Sequence, residues 1–480
     1  MQRWDWLGNK LIALLVFVGC GTTPRAARVS TVVSAPVVTT DEVAPGQRVR
    51  YCSASYDELS VPRCVGELTA HQASRRFRLT RLVETEGRVV RIDRINSNLQ
   101  FAEDTPTVTA TELVYDGARV VELVGLDRNN VVRTRKRLVP GGIRWFDSVG
   151  RPLPDDESRV SGAEQQLDEL GRVIELRYLD AEGEPATRTD GISTVRYKYG
   201  SVGLAEDESY FTHDGSPQTN DKGVHRVART YSADGLELET RFLDATGLPA
   251  PRKDGVQRTV NTFDEKGNSI ESQDFDAAGN LHEGDERTAT CRVKHDELGR
   301  TVELSFFSRN GVPAMSSYGY ITRRTTWNDK GLATSWSFFD GEGNPSRVNA
   351  TDHSIQRRVL DSRDRTIRKA WFNPDGTPNV RNGAAVELYF YNDRDNLVLR
   401  HSLTETGAPT KAEDGHYSIL RQTFDVDRIL RKEYLDENGQ LFAINGSAGV
   451  AYVYDSLGTK TKVRLDGEGH PVSNKPVSGQ

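Results

Sequence analysis

The chain of 480 residues has few of the groups on which catalytic and metal sites depend. Its nine histidines stand singly, and neither a Cys-x-x-Cys nor a His-Glu-x-x-His spacing occurs. A Gly-x-Ser-x-Gly elbow, a Walker loop and a Rossmann fingerprint are missing as well. These gaps leave no recognisable catalytic, metal or cofactor site, so we expect a non-enzymatic protein without a cofactor.

Long apolar runs are also missing, because the longest one, Leu11–Val18, is far shorter than the ~20 residues that span a bilayer. With Arg3 and Lys10 before it, this run is typical of an export signal. Its end, Phe17-Val18-Gly19-Cys20, resembles a bacterial lipobox, which implies a signal peptide over 1–19 and a lipid on Cys20. Because Asp does not follow Cys20, the resemblance implies the outer membrane of a bacterial cell envelope. The alternative is an ordinary secretory signal with an incidental cysteine.

Cysteine is scarce, with four residues in the chain. Cys52 and Cys64 stand close together in a chain predicted to be exported, which favours a disulfide over a metal pair. Cys291 is left over and is predicted to be buried. We interpret 20–47, rich in Thr, Ser, Val, Ala and Pro, as the lipid anchor and a flexible tether. Residues 48–165 are predicted to form an N-terminal cap with diverged repeats.

Neither sign of charge dominates, since the chain has 63 basic and 69 acidic residues and a net charge of −6. This balance favours solubility and disfavours a nucleic-acid partner.

From residue 166 to 473, one phrase recurs about every 32 residues, which is the mark of a repeat architecture. Its clearest copy runs from Asp168-Glu169-Leu170-Gly171-Arg172 to Gly183-Glu184-Pro185. Each copy predicts two turns, because Asp can cap the backbone two residues on and Gly adopts the positive φ that closes the bend. The first-turn series is Gly171, Gly203, Gly235, Gly267, Gly299 and Gly331, then Asp364, Asp395, Asp427 and Gly458; the second is Gly183, Gly215, Gly247, Gly279, Gly311, Gly343, Gly376, Gly407, Gly439 and Gly469.

Between the turns, apolar and polar residues alternate, as in strands with one buried face. Because a lone β-hairpin is marginal in water, each must pack against its neighbours. We therefore predict an all-β fold: tandem β-hairpin repeats, about ten units, stacked into an elongated, twisted antiparallel β array that is solenoid-like. A straight stack would extend roughly 95 Å. Residues 474–480 are predicted to be a disordered tail. The predicted core series are Ile174, Leu238, Ile270, Val302, Ile367, Val398 and Leu430; Tyr178, Tyr210, Phe242, Phe306, Phe338, Trp371 and Tyr434; and Tyr199, Tyr231, Phe263, Trp327, Tyr391 and Tyr454.

Several polar series leave alternatives open. Glu175, Asp207, Glu239, Glu271 and Glu303 hold one outward position in successive repeats, which indicates either solvated surface charge or a docking stripe. The second-turn residues Asp180, Asp244, Asp276, Asp340, Asp436 and Asp466 either cap their turns or offer oxygens to Ca²⁺. The densest ionisable cluster, His282-Glu283-Gly284-Asp285-Glu286, is interpreted as a connector rather than a metal site.

Three turn phrases carry a resemblance to a known family. His295-Asp296-Glu297-Leu298-Gly299-Arg300, Phe263-Asp264-Glu265-Lys266-Gly267-Asn268 and Tyr454-Asp455-Ser456-Leu457-Gly458 are similar to the Tyr-Asp-x-x-Gly-Arg phrase of bacterial RHS/YD-repeat proteins. The resemblance covers roughly two-thirds of the chain and implies stacked β-hairpins. It implies no chemistry.

Function is inferred from the overall organisation of the chain. The export signal, the tether and the repeats favour a lipid-anchored, non-catalytic binding or scaffold surface for a protein or glycan partner. One alternative is a structural spacer or coat element. The other is an envelope hydrolase or toxin-related factor with a site in 48–165.

Overall fold

The computed structural model of the protein describes residues 44–56, 63–76, 79–95, 108–154, 160–350, 352–411 and 417–472. The predicted signal peptide, Cys20, most of the tether and the predicted tail lie outside these ranges. The described residues include no helix of a length and apolarity that could span a bilayer.

Almost all regular structure in the described ranges is β-strand. A helix, α1 (Ala70–Ala73), and a 3₁₀ turn (Val348–Ala350) are the exceptions. The strands are β1 (Gln47–Tyr56), β2 (Arg63–Leu68), β3 (Leu79–Thr85), β4 (Arg88–Ile95), β5 (Ala110–Asp116), β6 (Arg119–Leu126), β7 (Val132–Val139), β8 (Gly142–Asp147), β9 (Gly162–Leu167), β10 (Val173–Leu179), β11 (Thr194–Tyr199), β12 (Ala205–Phe211), β13 (Arg226–Tyr231), β14 (Glu237–Leu243), β15 (Arg258–Phe263), β16 (Ser269–Phe275), β17 (Thr290–His295), β18 (Thr301–Phe307), β19 (Thr322–Trp327), β20 (Ala333–Phe339), β21 (Ile355–Leu360), β22 (Thr366–Phe372), β23 (Pro378–Asn379), β24 (Val386–Tyr391), β25 (Leu397–Leu403), β26 (Ile419–Asp425), β27 (Arg428–Leu435), β28 (Gly449–Tyr454) and β29 (Lys460–Leu465).

The strands form one continuous antiparallel sheet, which confirms the predicted fold class. Strand β1 lies between β2 and β3. From β3 onward each strand pairs with the next one along the chain, except that β22 pairs with both the short β23 and β24. The region predicted as a cap and the region predicted as repeats therefore belong to the same sheet.

Each hairpin from β9–β10 to β26–β27 contains one extra residue near its first turn. In β13–β14, Thr230 faces Glu239 and Tyr231 faces Glu237, so Leu238 is bulged out of the ladder. Ile270, Ile367 and Leu430 occupy the same bulge in their hairpins. All four are more than a third exposed. Their prediction as core residues is wrong, because the bulge interrupts the alternation on which that prediction was based.

One face of the sheet, here called the packed face, carries the core. Val195, Tyr210, Val227 and Phe242 lie on it, buried together with connector residues such as Val224. Further along the sheet, Phe306, Phe338 and Trp336 form a second cluster on the same face. In the predicted aromatic series, Tyr210, Phe242, Phe306, Phe338 and Trp371 are buried, whereas Tyr178 and Tyr434 are only partly buried.

The first turn of each repeat also ties neighbouring hairpins together. Asp168 accepts hydrogen bonds from the backbone N–H groups of Leu170 (3.0 Å) and Arg172 (2.8 Å) and from Arg172 Nε (2.6 Å). The Arg172 guanidinium then lies 4.5 Å from the Tyr199 ring centroid, and the Tyr199 hydroxyl donates to the Val173 carbonyl at 2.8 Å. Each recurrent residue of the phrase thus has a structural role. Asp and Gly close the turn, while Arg and Tyr join the turn to the next hairpin.

The aspartates of the second turn cap it. Asp180 accepts from the backbone N–H groups of Glu182 (3.1 Å) and Glu184 (2.8 Å). In a later turn, the N–H of Asn280 lowers the pKa of Asp276. Of the two interpretations of this series, the capping role accounts for the observed contacts.

The sheet coils so that its beginning lies beside its middle and later strands, along a line of contacts here called the seam. Arg76 pairs with Asp234 at 2.9 Å, and the Ser53 hydroxyl donates to the carbonyl of the same Asp234. Asn268 Nδ2 donates to the Arg75 carbonyl at 3.2 Å. The estimated length of a straight stack therefore does not apply, since the sheet turns back on itself.

The seam continues between the β6–β7 connection and the later first turns. Arg133 pairs with Asp427 at 3.2 Å, and Asp427 also pairs with Arg394 at 2.6 Å. Asn129 Nδ2 donates to Asp395 Oδ2 at 3.0 Å. Asp395 adopts the same positive φ as the first-turn glycines, 61°, and its carboxylate reaches across the seam, which explains the Asp at this turn.

Close approach across the seam and a positive φ favour glycine at two other seam positions. A Cβ on Gly267 would lie 2.6 Å from the Arg76 guanidinium, and one on Gly458 would lie within 2.2 Å of the Pro152 carbonyl oxygen. At the same end of the seam, Arg428 pairs with Asp147 at 2.8 Å. At these two first turns, glycine therefore suits both the positive φ and the close approach across the seam.

Candidate binding surface

The face of the sheet opposite the packed face carries a regular array of charges, and we call it the ladder face. Residues alternate between the two faces, so Arg196 on β11 and Phe211 on β12 lie on the ladder face while Val195 and Tyr210 do not. The carboxylate series that begins at Glu175 also lies there, since Glu175 faces Arg196 across β10–β11.

Each carboxylate of this series pairs with an arginine of the following strand. Glu175 lies 2.6 Å from Arg196, and Glu303 lies 2.7 Å from Arg324. The remaining pairs are Asp207 with Arg226, Glu239 with Arg258 at 3.4 Å, and Glu271 with Arg292 at 2.6 Å. The sequence reasoning missed these arginines, although their own recurrence at 196, 226, 258, 292 and 324 was a readable signal.

Four of these five arginines also stack on aromatic rings of their own hairpins. The Arg196 guanidinium carbon lies 4.2 Å from the Phe211 ring centroid, and that of Arg292 lies 4.5 Å from the Phe307 centroid. Arg258 over Phe275, Arg324 over Phe339 and Arg357 over Phe372 repeat the arrangement at 4.1, 4.2 and 4.6 Å. A guanidinium between a carboxylate and a ring is held in one orientation, because both contacts constrain its plane.

The cations of the ladder face are more exposed than the carboxylates. The Glu303 side chain is 15% exposed, whereas its partners Arg324 and Lys294 are 50% and 73% exposed. Glu175 shows the same contrast with Arg177 and Arg196. The carboxylates therefore lie beneath a layer of positive groups, and solvent meets mainly the positive ends.

The pKa values of Glu175, Glu239 and Glu303 are lowered beneath this layer, which favours their ionised forms. Hydrogen bonding from Arg241 lowers the pKa of Glu239. Burial by itself raises the pKa of Glu175, but the hydrogen bond from Arg196 and the charge of Arg177 outweigh burial, and the net shift is downward.

From β10 to β20 the ladder face carries an excess of positive charge. Nine cations share this face with five carboxylates. The cations are Arg177, Arg196, Lys198, Arg226, Arg241, Arg258, Arg292, Lys294 and Arg324; the carboxylates are Glu175, Asp207, Glu239, Glu271 and Glu303.

The cysteines predicted from the sequence lie apart from this face or outside the description. Cys52 and Cys64 form a disulfide between β1 and β2, with Cα atoms 5.3 Å apart. Cys291 is half-buried against the packed-face cluster of Phe306 and Phe338. Cys20, predicted to carry lipid, lies outside the described residues.

The His282 cluster lies in a connector. His282 Nε2 lies 2.8 Å from the Asp254 carbonyl oxygen, and the Asp285 N–H donates to Asp254 Oδ2 at 3.0 Å. In the parts of the chain that the structure covers, no group of three or more His, Cys, Asp or Glu side chains is placed to hold a metal ion.

Comparison with known proteins gives similarity to solved structures alone. No protein-family model matches the chain, and no curated protein matches it. The Tc holotoxin pore of Photorhabdus luminescens, with a mutated TccC3, is 13% identical at a TM-score of 0.33, over 85% of this chain and 20% of that one. The TcdB2-TccC3 structure without its hypervariable C-terminal region is 14% identical at a TM-score of 0.33, with the same coverage. The chain thus spans about a fifth of the length of these proteins, and at these values the similarity to RHS/YD-repeat proteins continues to rest on the turn phrase.

Proposed function

We propose that the protein is a lipid-anchored, non-catalytic scaffold of the bacterial cell envelope whose ladder face binds a protein or glycan partner. The lipobox-like Cys20 and the tether would hold the coiled sheet at the outer membrane. The seam would keep the sheet rigid, so that the ladder face is presented in one shape.

The observation that carries this proposal is the repetition of one exposed arrangement. A guanidinium stacked on phenylalanine and paired with a carboxylate recurs at Arg196, Arg258, Arg292 and Arg324. Rigid, half-exposed guanidinium groups lose little conformational freedom when they contact a partner, so a row of them favours binding.

The anchor is tested by metabolic labelling with radioactive palmitate. The wild-type chain should incorporate label and fractionate with membranes, whereas Cys20→Ala should do neither. Label in the Cys20→Ala chain would contradict the assignment of the lipid to this residue.

The binding role is tested by affinity capture from an envelope extract. A partner of the ladder face should be captured by the wild type and lost from a variant in which Arg177, Lys198, Arg241 and Lys294 are all replaced by Gln. Turnover of peptidoglycan or a common glycan by the purified protein would contradict a non-catalytic role.

The spacer alternative is supported by the extent to which repeat residues are paired within the chain, as in the Tyr199–Val173 tie and the seam. A pure spacer should capture no partner and should keep its function after a whole repeat is removed. Deleting residues 288–319 tests this, although the deletion also shifts Asp427 relative to Arg133 and should lower stability. Function retained by a destabilised deletion variant would favour the spacer, and function lost with wild-type stability would oppose it.

A further inference from the structure

We propose that the ladder face from β10 to β20 binds a linear anionic polysaccharide, with its exposed arginines and lysines contacting the acidic groups of the polymer. This inference rests on the proposed binding role and specifies its partner. Neither the repeat pattern nor the similarity to other proteins identifies this class of ligand.

Charge segregation is the first observation. The whole chain has a net charge of −6, yet this face carries nine cations against five carboxylates. The carboxylates are also the less exposed members, as the 15% of Glu303 beside the 73% of Lys294 shows. A surface that opposes the overall charge of its chain selects an anionic partner and attracts it over a distance of about 8 Å at physiological ionic strength.

Spacing is the second observation. Equivalent residues of successive hairpins are two strands apart, or about 9.6 Å, and the row from β10 to β20 extends about 50 Å. Such a row suits a polymer with regularly repeated acidic groups. The guanidinium groups of Arg196, Arg258, Arg292 and Arg324 are each held against a ring and present N–H groups that can bind a carboxylate in bidentate fashion.

Curvature is the third observation. Because the seam brings the sheet back on itself, the ladder face follows a curved path. A flexible chain can follow a curved row of cations along its length. Duplex DNA, with a persistence length of about 50 nm, and a flat membrane would each meet only part of it.

The test uses a variant that removes the excess charge without breaking the ladder. Replacing Arg177, Lys198, Arg241 and Lys294 by Gln leaves five cations against five carboxylates. Glu175, Glu239 and Glu303 keep Arg196, Arg258 and Arg324 as partners. The matched control replaces four exposed cations away from this face, Arg48, Arg75, Lys253 and Arg309, by Gln.

Binding of polygalacturonate to the full chain in detergent micelles is measured by calorimetry, with neutral dextran for comparison. The wild type should bind polygalacturonate and not dextran. The ladder-face variant should bind at least about tenfold more weakly, and the control variant within about twofold of the wild type. Affinity should fall between 50 and 300 mM salt. Unfolding midpoints of both variants verify that the fold persists.

Three results would overturn the inference. They are the absence of polygalacturonate binding, equal weakening in the control variant, and equally tight binding of single-stranded DNA, which would indicate unselective attraction of anions. If polygalacturonate does not bind while envelope capture still recovers a protein that depends on the ladder face, this inference fails and the proposed scaffold role stands.

Discussion

The ladder face and the seam both contain pairs of arginine with a carboxylate, but the pairs have different structural roles in the two regions. On the ladder face, Glu271 and Arg292 are 21 residues apart and the arginine is half-exposed. At the seam, Arg133 and Asp427 are 294 residues apart and the Arg133 side chain is 7% exposed. Local, solvated pairs fix side-chain orientation at a surface, whereas distant, buried pairs fix the path of the whole sheet.

Acid should weaken the ion pairs of the ladder face and of the seam together, and so produce the largest loss of stability. Hydrogen bonding from Arg241 lowers the pKa of Glu239. Burial raises the pKa of Asp427, but hydrogen bonds from Arg394 and Ser148 outweigh burial and the net shift is downward. A depressed carboxyl pKa stabilises the fold above the unfolded value of about 4, and this stabilisation is lost as the pH falls through the folded value. The free energy of unfolding, measured with urea, should stay level from pH 7 to 5 and decrease below 4. An increase in stability toward pH 3 would contradict the predicted direction of this change.

Arg133→Gln should break the seam alone. Its loss leaves Asp127, which is fully buried, and Asp427 without this guanidinium, and breaking a buried pair typically costs about 3–5 kcal/mol. Urea unfolding at pH 7 measures the change, with Arg292→Gln as the matched surface control. Equal losses in the two variants would mean that burial does not distinguish the regions.

Tyr199→Phe should have an intermediate effect. The substitution removes the hydrogen bond from the Tyr199 hydroxyl to the Val173 carbonyl and leaves the ring, so we expect a loss of about 1 kcal/mol. In the repeat where phenylalanine already holds this position, Phe263, the Asn261 side chain donates to the Glu237 carbonyl instead. Asn261→Ala should therefore cost a similar amount, and thermal unfolding of both variants checks this equivalence.

Arg292→Gln should have the smallest effect on stability. The pair with Glu271 is solvated and the stacking on Phe307 is partly exposed, so the loss should be at most about 1 kcal/mol. It should shrink further in 1 M salt, because exposed charges are screened. A loss that is large or independent of salt would show that the ladder holds the sheet together.

Much of the fold could be predicted because it is local. Gly171 and Asp168 mark a turn by their own chemistry, and the alternation around Tyr210 reports one buried face. Leu238 could not be placed correctly, because a bulge changes the register without changing the spacing of apolar residues.

The seam could not be predicted, because periodicity contains no information about which residues meet after the sheet has coiled. The replacement of Gly by Asp395 was visible in the sequence, but its partner Asn129 lies 266 positions away. The ladder face was predicted in part. The sequence placed Glu175 on the outward face, but it did not identify Arg196 as the partner of Glu175, because that pairing follows from the strand register.

The single inserted residue at each bulge has a geometric consequence. It recurs near the same end of every hairpin from β9–β10 to β26–β27, and it is missing from β28–β29. One rim of the ribbon is thereby longer than the other, and the small bends add with the same sign. The radius of curvature is then governed by how many hairpins contain the insertion, so adding or deleting single residues would open or tighten the spiral without altering its chemistry.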